Sequence, residues 1–210
     1  MASTMPEIAI DEHPVPVAYD DSWTALKWIA THSDGNGPEV WLNQHVDFHK
    51  IFLPGDSAGA NIALRMGMKI GQEKWEAISI TGIVLVHPFF WGRNHVGAET
   101  NDLAVRRKLR GLWRLVCPTT NGYNDPWIDP GNDPNLENLR CTRLLNYYEK
   151  LKKSGWRGEV EITESPGEDH GFHLFNPTSD HAMAMLKRIV SFMNQERDKF
   201  TNDEKEETRT

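Results

Sequence analysis

The sequence predicts an α/β fold, a mostly parallel sheet flanked by helices, on three observations. Strand-like apolar runs alternate with segments of helical periodicity along most of the chain. The run "ISITGIVLVHPFF" (78–90) is rich in β-branched residues and apolar almost throughout. That pattern suits a strand covered on both faces, as parallel sheets require. A shorter run, "FHKIFLPG", passes through Gly55-Asp56-Ser57-Ala58-Gly59 directly into the helical segment "AGANIALRMGMKIG".

The elements follow in order. Residues 1–19 contain Pro6, Pro14 and Pro16, and "HPVP" predicts an extended N-terminal remnant. "DDSWTALKWIATHS" reads as a helix capped by Asp20, Asp21 or Ser22, with Trp23, Leu26 and Ala30 at helical spacing. "DGNGPEVWL" (34–42) is a turn-rich break before the strand that feeds the serine turn. Gly71 is placed to end the helix that follows it. Residues 91–135, dense in Asn, Asp, Gly and Pro at "NDPWIDPGNDPN", read as irregular loop or cap, with Asp125, Asp129 and Asp133 as turn formers. "CTRLLNYYEKLKKSGW" starts strand-like and becomes a helix carrying Leu144, Tyr148 and Leu151. "GEVEITESPG" is a short alternating strand. "DHAMAMLKRIVSFMNQ" is a helix with Ala182, Leu186, Ile189 and Met193 on one face. One domain over 20–197 is expected, followed by a charged, frayed tail at 198–210.

Bulk properties exclude several functions. The 210 residues carry a net charge of −7, and no lysine-arginine cluster stands out, which argues against nucleic-acid binding. The N-terminus lacks the basic and apolar regions of a secretory signal. No apolar run approaches the ~20 residues of a membrane helix, and no membrane partner is expected. The only two cysteines, Cys117 and Cys141, read as a reduced pair. The expectation is a soluble cytoplasmic protein.

The chemistry centres on Ser57. A G-x-S-x-G turn between strand and helix exposes the serine hydroxyl at the sheet's carboxyl edge and aims the Ala58 amide at a forming oxyanion. Side chains at Gly55 and Gly59 are expected to collide with neighbouring backbone. A serine needs a base within hydrogen-bond reach, and His170 in "GEDHGFHLF" follows the last strand, in the chain order Ser then His. His173 is a rival that reads better as a structural contact. His45 and His49 are four residues apart, but no H-E-x-x-H pattern accompanies them, so no metal site is expected.

Taken together, "HPVPVAYDDSWTALKWIATH", "GDSAGANIA", "GIVLVHPFFWG", "NDPWIDP", "YYEKLKKSGW" and "GEDHGFHLFNP" resemble the plant carboxylesterases. This α/β-hydrolase group also contains hormone-sensitive lipase, the gibberellin receptors and the isoflavanone dehydratases. The resemblance runs from about His13 to about Asn194 and implies an incomplete α/β-hydrolase. It makes Ser57 the nucleophile, His170 the general base and Ala58 an oxyanion-hole donor, acting on small esters without metal or organic cofactor. The gibberellin receptors lack the triad histidine, and the dehydratases often carry threonine at the nucleophile, so His170 and Ser57 lean toward a hydrolase.

Two departures from that family stand out. Its members carry a histidine-glycine-rich loop upstream of "HPVPVAYDD" that completes the oxyanion hole, and "MASTMPEIAIDE" occupies that place here. Their "CTRLL" strand continues into a loop bearing the triad acid, whereas here Leu145 is followed directly by Asn146. The triad acid is therefore unassigned, neither Glu168 nor Asp169 being placed to reach behind His170. The strand between "GIVLVHP" and "EVEITES" is expected to be missing, leaving those two to pair anew, and the nucleophile strand to have an open flank. A shortened, impaired esterase is the first expectation. The alternatives are a non-catalytic binding protein of the gibberellin-receptor kind and a truncated product without function. Oligomeric state is open.

Overall fold

A computed structural model describes residues 14–92, 102–145 and 149–195. The chain divides into two compact units, Met1–Ile162 and Thr163–Thr210.

The first unit opens with α1, Val15–Ala30, five residues earlier than the expected caps. Pro14 is extended at the N-cap, and Pro16 lies in the first turn, where a helix has no use for the missing N–H. Prolines that suggested extended chain thus start the helix, and Ser22 donates from within it to the Ala18 carbonyl. Trp23, Leu26 and Ala30 are buried as the spacing predicts, joined by Tyr19.

After α1 the chain turns on a fully buried histidine. His32 Nδ1 lies 3.0 Å from the Trp28 carbonyl, and Nε2 accepts the Glu39 amide at 2.9 Å. An acceptor role at Nε2 leaves Nδ1 as the protonated nitrogen, so the ring is neutral. Glu39 caps α2, Val40–His45, through the Trp41 amide.

Four parallel strands form the sheet in the order β1 (Ile51–Asp56), β2 (Ile80–Val86), β3 (Arg143–Leu145), β4 (Glu159–Glu161). Every residue of β2 is buried, as its unbroken apolar run requires. The strand expected to be missing between β2 and β4 is present in shortened form. Arg143 pairs with Gly82 on one side and Glu159 on the other. Leu144 is accordingly a buried strand residue and not part of a helix face. The helix α5, Glu149–Ser154, buries Leu151, and Tyr148 lies outside the described residues. Among the described residues β1 has a strand on one side only, the open flank that was expected.

The helix after β1, α3 (Ala58–Gln72), continues past Gly71. Gly71 is required for packing: a Cβ there would stand 1.8 Å from the Asn138 carbonyl oxygen. Residues 91–135 are not all irregular, for α4 spans Leu103–Val116 and is capped by Asp102 through the Ala104 amide. Further on, Asp125 accepts the Asn121 and Trp127 amides, and Asp133 accepts the Asn135 amide and Arg65 Nη1 at 2.6 Å. These two behave as the expected turn formers.

The second unit holds α6 (Phe172–Phe175) and α7 (Asp180–Asn194), the latter capped by Ser179 through the Ala182 amide. Ala182 and Phe192 are its buried residues, whereas Leu186 is exposed. Ile189 and Met193 are half-buried, so the expected face holds except at Leu186, with Phe192 buried beside it.

Candidate active site

Ser57 is the hinge between β1 and α3, with φ 56° and ψ −115°. Only glycine adopts such a backbone without cost, so a serine here is held by its surroundings. Those surroundings are the end of β2. The Ser57 amide donates to the Val86 carbonyl at 2.9 Å, and the Ser57 carbonyl accepts the Phe89 amide at 3.0 Å. The Ser57 side chain makes no capping bond to α3, so the helix does not use its hydroxyl as a cap.

The glycines of the turn differ in role. A Cβ on Gly55 would lie 2.2 Å from the Gly59 carbonyl oxygen, so position 55 admits no side chain. Gly59 has open space around it, and the expected collision there does not occur. Asp56, the last residue of β1, places Oδ1 3.9 Å from His87 Nδ1, and His87 is itself left-handed at φ 41°. Two strained residues thus sit side by side where β1 and β2 end. Ala58 is exposed and opens a 15-residue helix, whose N-terminal amides favour a negative charge.

Asn61 organises the wall behind the serine. One turn into α3 and buried, it donates to the Phe89 carbonyl at 3.1 Å and the Trp127 carbonyl at 2.7 Å, and accepts from the Tyr19 hydroxyl at 2.8 Å. Tyr19 in turn meets Trp127 edge to face. Burial pushes the Tyr19 phenol well above its ordinary range, with Arg65 opposing the shift. The sequence reading missed Asn61 and Tyr19. Their signal was the polar Asn inside the apolar face of "GANIAL", which is costly to bury without partners.

His170 belongs to the second unit. It is exposed and lies between two left-handed glycines, Gly167 and Gly171. Glu168 binds His181 of α7, with Oε1 2.6 Å from Nδ1. His173 sits in α6 against Phe172, in keeping with a structural contact. Ser57, Asp56, Ala58 and the two glycines are brought together in the first unit, and His170 is placed in the second. His45 packs on Trp41, and among the described residues no group of three His, Cys, Asp or Glu is placed to hold a metal ion.

A serine on a strained turn between a parallel strand and a helix is the signature of one fold class, the α/β hydrolases. The chain belongs to the alpha/beta hydrolase fold family, whose model matches residues 11–174. It is similar to "Probable carboxylesterase 7" and "Probable carboxylesterase 2" of Arabidopsis thaliana, at 43% identity to each. Those matches take in 88% of this chain, and 64% and 62% of the relatives. It is also 36% identical to "2-hydroxyisoflavanone dehydratase" of Glycine max, over 88% of this chain and 64% of that protein. Among solved structures, one of two fungal esterases from Rhizomucor miehei aligns with a TM-score of 0.67 at 21% identity, covering 87% of this chain and 59% of that one. A thermostable carboxylesterase from a metagenomic library gives 0.64 at 22% identity, covering 87% and 64%. These structural likenesses establish the fold alone. The chain spans just under two thirds of the length of its plant relatives.

Proposed function

We propose that this chain is a carboxylic ester hydrolase by chemistry, acting on small esters through Ser57. The observation that carries the reading is the strained Ser57 backbone, pinned to β2 while its side chain leaves α3 uncapped. In this mechanism Ser57 Oγ attacks the ester carbonyl while His170 takes its proton. The Ala58 amide and the N-terminus of α3 stabilise the oxyanion. The alcohol leaves with the proton returned by His170, and water then cleaves the acyl-enzyme by the same route.

Turnover is expected to be low. No carboxylate is assigned behind His170, and a missing orienting carboxylate costs about 10⁴ in turnover. Support for a weakened triad comes from Glu168, whose carboxylate holds His181. The same observation favours a second reading, a small-molecule binder without turnover, of the gibberellin-receptor kind. The two free cysteines fit a reducing, cytoplasmic setting.

The test is hydrolysis of short-chain p-nitrophenyl esters by wild type and Ser57→Ala. Slow release abolished by the substitution supports the esterase. Ligand-induced thermal stabilisation with no product above the Ser57→Ala background supports the binder and defeats the esterase.

A further inference from the structure

The helix α4 is unlike the rest of this acidic chain. Between Leu103 and Val116 it carries Arg106, Arg107, Lys108, Arg110 and Arg114 and no acidic residue, a cationic cluster contrary to the expectation that none stands out. Trp113 and Val116 pack inward, but four other apolar side chains of the helix are turned outward. Leu103, Val105, Leu112 and Leu115 are 75%, 41%, 43% and 53% exposed, while Arg106 and Trp113 are buried.

The inward face explains why the outward face is held in place. Arg106 and Arg110 each reach the Gly92 carbonyl at 3.3 Å, and Trp113 Nε1 donates to Thr120 Oγ1 at 2.9 Å. Anchored this way, α4 turns outward a row at 105, 108, 112 and 115, spaced for one helix face. Three of the four are apolar and the fourth is Lys108. Arg107 and Arg114 flank the row, and Arg114 and Arg110 lie over the ring of the partly exposed Tyr123.

We propose that this face of α4 docks the protein on an anionic lipid surface. An apolar row edged by cations and an aromatic ring is the composition of a helix lying in the headgroup plane. Lys108 has a stem long enough to follow the apolar row while its ammonium stays at the phosphates. The net charge of −7 does not prevent this. At physiological ionic strength fields fade over about 8 Å, so the membrane meets chiefly the charges of α4. A second copy of the chain is a poorer occupant, because pairing α4 on α4 sets Arg107, Lys108 and Arg114 against their like. Spanning is a different matter: no described helix is long and apolar enough to cross a membrane.

Cosedimentation of the full chain with vesicles tests the proposal, using phosphatidylcholine alone and phosphatidylcholine with 30 mol% phosphatidylserine. Binding is expected only with phosphatidylserine, and is expected to weaken as salt is raised. Arg107→Gln with Lys108→Gln is expected to lower the partition coefficient by on the order of 30-fold. Leu112→Ser with Leu115→Ser, both at exposed positions, is expected to abolish binding while leaving the circular dichroism spectrum unchanged. Equal binding to both vesicle types, or none to either, overturns the proposal. So does self-association that the leucine substitutions dissolve without any vesicle binding, since a second copy would then be the occupant.

Discussion

The amide of Ser57 donates to the carbonyl of Val86 across 2.9 Å, tying the residue after β1 to the last residue of β2. This bond extends the β1–β2 ladder by one step, from Asp56 paired with Val86 into the turn itself. The sheet therefore supplies the force that keeps a serine at φ 56°, and the Phe89 amide closes the clamp from the other side.

If the sheet imposes that conformation, its cost is stored in the fold. Ser57→Gly is expected to raise stability by about 1 kcal/mol, by removing a side chain from a glycine-type backbone. Thermal or urea unfolding measures this. A destabilised Ser57→Gly protein would contradict the strain.

The two glycines beside Ser57 should respond in opposite ways. Gly55→Ala must move the Gly59 backbone and is expected to cost about 1–3 kcal/mol or more. Gly59→Ala meets open space within a helix and is expected to be neutral or stabilising by about 0.5–1 kcal/mol. Paired urea titrations distinguish them.

Asn61 joins three segments by side-chain hydrogen bonds. Asn61→Ala leaves the Phe89 and Trp127 carbonyls and the Tyr19 hydroxyl without that partner and is expected to cost about 2–4 kcal/mol. Tyr19→Phe removes one bond and is expected to cost about 1 kcal/mol. Denaturant midpoints should rank the two in that order.

Tyr19 and Cys141 make the fold sensitive to alkali. Burial raises both groups above their ordinary ranges. Above their unfolded pKa values the unfolded chain releases protons that the folded chain retains, so stability falls as pH rises. It is fully present below about pH 8.5 and declines progressively beyond it, more steeply above about pH 10. Tyrosinate absorbance should show Tyr19 ionising only with unfolding, a late step that Tyr19→Phe should remove.

Much of this was legible in the residues. β2 could be read because seven consecutive buried positions leave no ambiguity of face, and the serine turn because Gly55 and the flanking elements have one physical use together. Other parts were set by tertiary context. Proline fixes φ at a value that suits both extended chain and the first turn of a helix, so at Pro14 and Pro16 only the packing of Tyr19 and Trp23 decides between them. Arg143–Leu145 is too short to show a period, and only its pairing with β2 and β4 makes it a strand. The helix α4 was hidden because Arg106 faces inward while Leu103, Leu112 and Leu115 face outward, the reverse of the usual rule. His170 is proposed as the base from its place in chain order, and no carboxylate is assigned to it from sequence. In the structure one of the two that precede it, Glu168, is engaged by His181.

Intact mass after exposure to a fluorophosphonate tests the central claim most directly, because one attack leaves a permanent adduct even if turnover is very slow. Wild type is expected to gain a single adduct that Ser57→Ala lacks. Cooperatively folded protein that gains none would contradict an activated Ser57, leaving the turn as an inherited feature of the fold without its chemistry.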